Sequence, residues 1–555
     1  MTKQSKLRAA LMAGLAIGAG QFGQAYAQEA STESAGAAGQ ASGGALDEIV
    51  VTAQRRQESQ QDVPVAITSV SGKAIENSGF QSVSDLQFLV PGVQFNPNSG
   101  GAFQIRGTGS AAFDYSTERA VSLVVDDVVM DAPRDLGLTG LNDIQQIDVL
   151  KGPQGTLFGK NATAGVIAVT TVQPVLGRFE AKGGISYGER ADRNATLTLN
   201  VPLGERLALR VSGFGQGQEG YGRYTTLNQP LNSFKEYGYR ARLSFEPADG
   251  IEISYANDYA HHWDNFIRTS VSGAPPAVTA IQIANGVTPG PKNDDNADSK
   301  LGYTRNSSWG HSLRTQIEIG RDTLTLVTAY RGTSYVGEAP ANLVPADDFA
   351  FLPYNKGTVR TRKFSQELRW ASPTGGFVEY LGGLFYNRLH TRSTQIQWAT
   401  LSQPLESPTG VPLTHFFSLT GAQGLPGNRQ LFDAINTNVA AFGQLKFNLT
   451  SQLSLALSGR YSHDNNSQSI GYDWLDPLPI TGVNATFTPL YAAPSQTFGR
   501  VKGDHFTYRI AGQYKFAADA MAYVTYATGY KPGGAAFVVN TYSPYGAETV
   551  KSIEA

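Results

Sequence analysis

Three groups of residues have types and spacings that could do chemistry. Gly155-Thr156-Leu157-Phe158-Gly159-Lys160 has the look of a phosphate loop, in which backbone N–H groups cradle an anion ahead of a lysine. The spacing fails, because Gln154 stands where the first glycine is needed and Asn161 where a magnesium-binding Ser or Thr is needed. Asp126-Asp127 could be a metal pair, but neighbours on a strand point to opposite faces, so the reading is structural and no metal is expected. His261 and His262 are likewise adjacent and strand-like, so they diverge. No nucleophile–base pair, metal cluster or cofactor loop emerges, so no enzyme and no cofactor are expected.

A fourth feature concerns a partner rather than a reaction. Asp47-Glu48-Ile49-Val50-Val51-Thr52-Ala53 carries a short β-prone run in a polar, unpaired setting. Such a run can add a strand to a partner's sheet edge through its backbone. Before it, residues 28–46 are Ala, Gly, Ser, Gln and Glu, a flexible linker with nothing to bury. Residues 1–27 read as a signal peptide: Lys3, Lys6 and Arg8, an apolar stretch over 9–20, and an Ala25-Tyr26-Ala27 cleavage site.

Composition bounds the rest. The chain has 555 residues, with 61 Gly, 25 Tyr, 27 Phe and no Cys, so disulfides and thiolate sites are excluded. A net charge of −2 gives no basic surface for nucleic acid. Charged residues make up 16%, against about 25% in an ordinary soluble protein, and no apolar run reaches the ~20 residues of a spanning helix. Low charge with many aromatics and glycines suits a membrane barrel or a large soluble β protein.

Residues 60–173 read as small strands joined by glycine turns. Strands are expected over 62–70, Ala120 to Val129, Ile144 to Lys151 and Val166 to Thr171. A short helix is expected after Ser82, capped by Asp85 and ended at Pro91-Gly92. From 178 the pattern becomes alternation. Leu453, Leu455, Leu457 and Tyr461 share one face, and Ser454, Ser458, Arg460 and Ser462 the other. Tyr237, Tyr239 and Phe245 oppose Arg240, Arg242 and Ser244 in the same way. Short turns at 203–206, 247–250, 320–322, 372–376, 450–452 and 517–520 alternate with long segments such as 263–303, 391–434 and 463–503. That is the connection pattern of an outer-membrane barrel.

These stretches carry a resemblance. Ile105-Arg106-Gly107 with its following segment, Val124-Val125-Asp126-Asp127-Val128, Leu150-Lys151-Gly152-Pro153-Gln154-Gly155, and residues 364–370 and 439–461 resemble TonB-dependent outer-membrane receptors. The resemblance implies a mainly β fold: an N-terminal globular α/β plug (60–173) inside an antiparallel transmembrane β-barrel (178–555). Full-length members have 22 strands, and about 13–14 are counted here, the last starting at Glu548. The chain is therefore read as C-terminally truncated, with a smaller closed barrel or a non-functional fragment as alternatives.

The resemblance further makes residues 47–56 the TonB-box region, with Asp47 to Ala53 binding TonB, the inner-membrane energy-coupling partner. It implies a plug scaffold of Arg106, Gly107, Gly152, Pro153, Gly155 and Gly159, with Arg106 expected to pair with a wall carboxylate such as Glu367. Phe103, Gln104, Phe113 and Tyr115 are the candidate substrate contacts, with packing as the competing role. The implied function is active import across the outer membrane of a Gram-negative bacterium, in contact with outer-membrane lipid. A ferric siderophore is the leading cargo; cobalamin, haem and oligosaccharide are the others. A passive or structural barrel is the rival class.

Overall fold

The structure is a computed structural model. It describes residues 50–555 except 52–53, 57, 81, 97–101, 111–117, 133–134, 136–139, 141, 266–275, 298–300, 341–351, 401–427, 475–494, 518–519 and 539–540. The leader and linker assigned to residues 1–46 lie outside the described residues.

The N-terminal part is assembled from short strands: β1 (Val50–Val51), β2 (Glu58–Ser59), β3 (Ile67–Ser71), β4 (Val93–Asn96), β5 (Ala102–Ile105), β6 (Thr108–Gly109), β7 (Val121–Val125), β8 (Val128–Val129), β9 (Ile144–Lys151) and β10 (Gly165–Thr171). β3, β9, β10, β7 and β8 make one five-stranded sheet in that order, and β4, β5 and β6 a second. β10 runs parallel to β7, with Val166 to Val169 beside Ser122 to Val125. The Ser82 cap forms as its spacing requires. Its hydroxyl accepts from the Ser84 N–H at 3.3 Å, and Asp85 accepts from the Ser82 N–H at 2.9 Å. The short helix Leu86–Leu89 follows directly.

One expected strand is two. Ala120 to Val129 breaks at Asp126 and Asp127, which have φ of 46° and 70° and join β7 to β8 in a two-residue hairpin. Positive φ at both central residues is the type I′ turn, whose natural occupants are Asn-Gly and Asp-Gly. The two carboxylates are thus turn residues, not alternating strand residues.

The C-terminal part is one fourteen-stranded antiparallel sheet. Its strands are β11 (Glu180–Tyr187), β12 (Arg193–Pro202), β13 (Leu207–Gln218), β16 (Phe234–Ala248), β17 (Ile251–Asp264), β18 (Tyr303–Ile319), β19 (Asp322–Pro340), β20 (Leu352–Ala371), β21 (Val378–Thr400), β22 (Asn428–Asn448), β23 (Leu453–Trp474), β24 (Ser495–Ala517), β25 (Ala520–Lys531) and β28 (Glu548–Glu554). Two small hairpins lie in its connections, β14 (Arg223–Tyr224) with β15 (Gln229–Pro230), and β26 (Gly534–Val538) with β27 (Thr541–Tyr545). These hairpins and the helix Pro276–Ala284 are structure that the alternation pattern does not announce.

The sheet reverses the soluble-protein arrangement. Tyr461 is 52% exposed on the outward face, while the adjacent Ser462 is fully buried. Leu453, Leu457, Phe506 and Ile510 also point outward, and Arg460, Thr507 and Arg509 inward. Apolar-out and polar-in is the period-two pattern of a strand between lipid and lumen. Near the short turns, Trp370 Nε1 and Tyr380 Oη both donate to Asp322 Oδ2, at 2.7 and 2.6 Å, as interfacial aromatics do. No helix among the described residues is long and apolar enough to cross a membrane.

Two apolar cores join the parts. One unites Ile75, Leu86, Ile105, Ile147 and Ile167 with Val327 and Ala329 of the wall strand β19. The other unites Val51, Val63, Leu150, Phe158 and Val166 with Leu381 and Phe442 of β21 and β22. The small domain is therefore seated in the curve of the large sheet.

Candidate functional site: the plug and its coupling segment

The β-prone run is not unpaired. β1 lies antiparallel to β2, with Val50 across from Ser59 and Val51 across from Glu58. Val51 is 0% exposed, held in the core with Leu150 and Phe158. Docking removes the apolar Val51 side chain from water, which is the physical reason the segment is clasped rather than free. Asp47, Glu48, Ile49, Thr52 and Ala53 lie outside the described residues.

The chain leaving β1 is fastened to the wall at successive points. Gln444 Nε2 donates to Gln54 Oε1 at 2.8 Å. Arg55 has a φ of 62° and lies over the Phe158 ring, 4.5 Å from its centroid. Its guanidinium reaches Asp127 at 2.9 Å and Glu367 at 3.6 Å. Arg56 pairs with Glu379 at 3.6 Å and Glu58 with Lys446 at 3.3 Å. Burial raises the Glu58 carboxyl above its ordinary value, with Lys446 pulling the other way. Beyond them the Pro64 carbonyl accepts from Arg509 Nη2 at 2.6 Å and Thr525 Oγ1 at 3.0 Å.

The β7–β8 turn is a second fastening. Asp127 accepts from Arg369 through both oxygens, at 3.1 and 2.7 Å, and Arg314 lies 3.6 Å away. Burial works against the Asp127 charge, but Arg369, Arg55 and Arg314 outweigh it and hold the carboxyl well below the aspartate range. Asp126 turns the other way, accepting from the Thr171 N–H and hydroxyl at 2.9 and 2.8 Å and pairing with Arg242.

The same polarity recurs around the plug. Asp131 pairs with Lys363 and accepts from Asn387 at 2.8 Å. Asp135 pairs with Arg331 at 3.1 Å, and Asp143 with Arg210 at 2.6 Å. Five plug aspartates thus meet cations on β13, β16, β18, β19 and β20. The lumen of the sheet is basic where the plug is acidic, so the contact is hydrophilic as well as snug at its apolar cores. Such a contact can part and re-form in water more readily than a purely apolar one.

The scaffold residues carry the geometry that their types suggest. Gly107, Gly152 and Gly159 have φ of 74°, 87° and 84°, a region that side chains disfavour. A Cβ at Gly155 would stand 3.1 Å from Gly529 Cα and Thr528 O, so this glycine permits close approach to the wall. Pro153 packs at the same place, against Gly529. The segment 152–159 is a buried wall contact, and Lys160 is bonded to Glu118 at 2.6 Å rather than free for phosphate. Arg106 pairs with Glu554, at 3.6 Å, and not with Glu367, which is taken by Arg55 and Arg369. The correction is one of height along the barrel: the register sets Glu554 across from Thr525, beside the plug's Arg106.

Of the candidate substrate contacts, Phe103 is 7% exposed and packs on Phe95, ring centroids 5.1 Å apart, within the plug core. Gln104 is half-buried beside Gly109. Phe113 and Tyr115 lie outside the described residues. The two histidines diverge. His261 meets Ser307 at 2.7 Å on the outward face, and His262 lies inward between Glu236 at 3.4 Å and Asp264 at 3.0 Å.

A wall with a lipid-type exterior, wrapped around a salt-bridged plug, defines a plugged membrane barrel. The chain matches the TonB-dependent receptor plug domain over residues 59–166 and the TonB-dependent receptor-like β-barrel over residues 244–555. It belongs to the TonB-dependent receptor family, whose members are outer-membrane β-barrels. It is 24% identical over 494 residues to the pesticin receptor of Yersinia pestis, covering 88% of this chain and 64% of that receptor. It is 26% identical over 271 residues to the catecholate siderophore receptor Fiu of Escherichia coli K12, covering 45% of this chain and 32% of that protein. The fold is similar to the ferric yersiniabactin uptake receptor FyuA of Yersinia pestis, with a TM-score of 0.68 and 22% identity over 88% of this chain and 68% of that one. The siderophore receptor PiuA of Acinetobacter baumannii gives a TM-score of 0.61 at 15% identity, over 88% and 67%. The chain thus spans a little under two thirds of the curated pesticin receptor's length.

Proposed function

We propose that this protein is an active importer in the outer membrane of a Gram-negative bacterium. It takes up a ferric siderophore, and TonB, pairing with residues 47–53, supplies the work. The observation that carries this reading is the double fastening of the plug. Arg55, which follows closely on residues 47–53, reaches the same plug residue, Asp127, that Arg369 and Arg314 hold from the wall. A pull on the segment is thereby delivered to the contact that keeps the lumen filled. A passive pore has no use for such a linkage.

Siderophore cargo is supported by the relatives. FyuA is a ferric yersiniabactin uptake receptor and Fiu a catecholate siderophore receptor. On this reading the long segments face the medium and read the cargo, and the short turns face the periplasm. Phe103 contributes through plug packing, and Gln104 is the described candidate nearer to solvent.

The test is two measurements on one receptor. Cells carrying the protein take up radiolabelled iron as ferric siderophore, and membranes from them bind it. Val50→Pro is expected to end uptake and leave binding unchanged. Uptake that persists in a strain lacking TonB would overturn active import. Absence of binding to every ferric siderophore in a panel, with binding of cobalamin or a glycan, would reassign the cargo.

A further inference from the structure

The inward face of the large sheet changes character beyond the plug. One rung of its ladder runs through Arg331, Lys363, Leu389, Asn436, Asn466 and Val501, each directly across from the next. At the start of that rung, and on its plug side, cations meet plug aspartates. Past it, toward the long connections, the inward positions of β18 to β24 among the described residues hold no charged side chain. Ser308, Thr333, Thr361 and Ser393 are typical of them, and all are buried. On β16 and β17 the matching positions add two carboxylates, Glu236 and Asp264, with one imidazole, His262, between them. Among the described residues, these strands offer no lysine or arginine to an anion in the outer lumen.

What they offer instead is a patch of amide oxygens. Asn436 and Asn438 on β22 share a face with Asp464, Asn466 and Gln468 on β23. Asn438 Nδ2 donates to Asp464 Oδ1 at 2.9 Å, and Tyr530 Oη donates to Asp464 Oδ2 at 2.8 Å, so both oxygens of that carboxylate are engaged. The amide oxygens of Asn436, Asn438, Asn466 and Gln468 have no donor among the described residues. Three of these side chains are nearly covered, Asn438 at 1% exposure, Gln468 at 4% and Asn466 at 7%. A buried acceptor without a donor costs stability, and the fold itself does not explain four of them on adjoining strands. Donors brought by a ligand would satisfy them.

The roof beside the patch is uncharged too. The connection 532–547, between β25 and β28, contains no Asp, Glu, Lys or Arg. Its hairpin, β26 with β27, folds against β23 and β24. The Tyr542 ring fills the space that any side chain at Gly499 would need, and Gly499 lies directly across from Gln468.

We propose that the cargo is an uncharged ferric complex whose N–H or O–H groups donate to Asn436, Asn438, Asn466 and Gln468, and that polyanionic complexes are refused. The inference rests on the import reading above and narrows its cargo by charge. Ferric iron bound by three hydroxamates is neutral, and a peptide carrying those hydroxamates also carries N–H donors. Ferric iron bound by three catecholates has three negative charges. Drawn from water into this lumen, such an anion would meet acceptors and carboxylates without a cation, which is an unfavourable transfer.

The test is equilibrium binding to membranes from cells carrying the full chain. The probes are radiolabelled iron as a cyclic tris-hydroxamate peptide complex, as a tris-catecholate complex and as ferric citrate. Wild type is expected to bind the hydroxamate complex at least roughly tenfold more tightly than either anion. Gln468→Met keeps the length of the side chain and removes the acceptor, and should weaken hydroxamate binding roughly fivefold. Gln468→Lys should weaken it as well while strengthening tris-catecholate binding, a reversal that an unfolded wall cannot produce. Equal or tighter binding of the catecholate complex by wild type overturns the charge assignment and leaves siderophore import standing. Hydroxamate binding unchanged in both Gln468 variants overturns the amide patch as its reader. Binding of no ferric complex at all overturns the siderophore reading, and the inference falls with it.

Discussion

Asp127 and Arg369 meet across the boundary between plug and wall in a two-bond contact, 2.7 and 3.1 Å. Asp127 has a φ of 70° in a turn position that favours glycine, so its presence strains the backbone while its carboxylate serves the wall. The relationship separates the two roles cleanly. Asp127→Gly is expected to relax the turn and lose the contact. Asp127→Asn is expected to keep the strain and lose the charge. Both leave Arg369 and Arg55 to share Glu367 where they had two carboxylates, which costs about 2 kcal/mol for a pair that solvent partly reaches. The check is the denaturant midpoint of the plug, followed by hydrogen exchange over 121–129. A wild-type midpoint in both variants would show that the contact holds nothing.

Acid should loosen this contact. Asp127 and Asp131 have carboxyls held below the ordinary aspartate value of 3.8, opposed by burial and carried by Arg369 and Arg55 in one case and Lys363 in the other. A lowered folded value means that the unfolded form binds the proton first. The stabilisation is therefore complete above the ordinary value and is lost as pH falls below it. Glu58 runs the opposite way, because burial raises it above 4.5 and its ionisation opposes the β1–β2 clasp as pH rises. Exchange protection should accordingly fall over 121–129 below about pH 4, while residues 50–59 gain protection on mild acidification. Parallel behaviour of the two regions would refute the assignment.

Gly159 makes a steric prediction. Its φ is 84°, and an added Cβ would stand 2.9 Å from the Arg460 guanidinium. Gly159→Ala should destabilise plug seating by about 1–2 kcal/mol through backbone strain alone. Arg460→Ala in the same chain should relieve the clash but not the strain. A full rescue by Arg460→Ala, measured as recovery of the plug's denaturant midpoint, would show that contact rather than φ dominates.

Val50→Pro tests the clasp from its partner side. Val50 lies opposite Ser59, and a proline there removes a backbone donor and disfavours both this pairing and any pairing with an incoming strand. Ferric siderophore binding should be unchanged and uptake abolished. If Val50→Pro also releases residues 54–59 to exchange while Val51→Ala does not, the ladder rather than the buried side chain holds the segment.

Much of this architecture was legible because period-two alternation survives wherever one face meets lipid. Leu453 to Ser462 shows it residue by residue, and each short turn from 203–206 to 517–520 falls at an observed sheet connection, to within two residues. The small hairpins within the long connections were not legible, since strands of two to five residues leave little period. The Asp126–Asp127 turn was missed for a different reason. β-branched residues on both sides outvoted a turn that lacks glycine, and only the arginines across the gap explain an aspartate at positive φ. The plug–wall ion pairs had a readable half, in that Arg240 and Arg242 stand on the polar face of their strand. Their partners could not be matched without the register of the plug inside the sheet. Arg106 shows the limit: its type suggested a wall carboxylate, but choosing Glu554 over Glu367 needs the height of both strands.

Topology gives the last prediction. The connections 203–206, 249–250, 320–321, 372–377 and 449–452 all lie at one end of the sheet, because antiparallel strands return to the same edge at every second turn. The connections at the other end include 265–302, 341–351, 401–427 and 475–494, and several of their flanking strands exceed 20 residues. A tilted strand crosses the hydrocarbon with about 9–11 residues, so these strands project well beyond the bilayer on that side. On β21 the lipid-type face ends at Tyr386, and Arg388, His390 and Arg392 follow. The long side should therefore be the cell exterior. Protease added to intact cells should cut within 265–302, 401–427 or 475–494 and spare 249–250 and 449–452. The reverse pattern, with the short turns cut in intact cells and the long segments protected until the envelope is opened, would invert the barrel. It would also place the β1 segment on the wrong side of the membrane for a partner anchored within the cell.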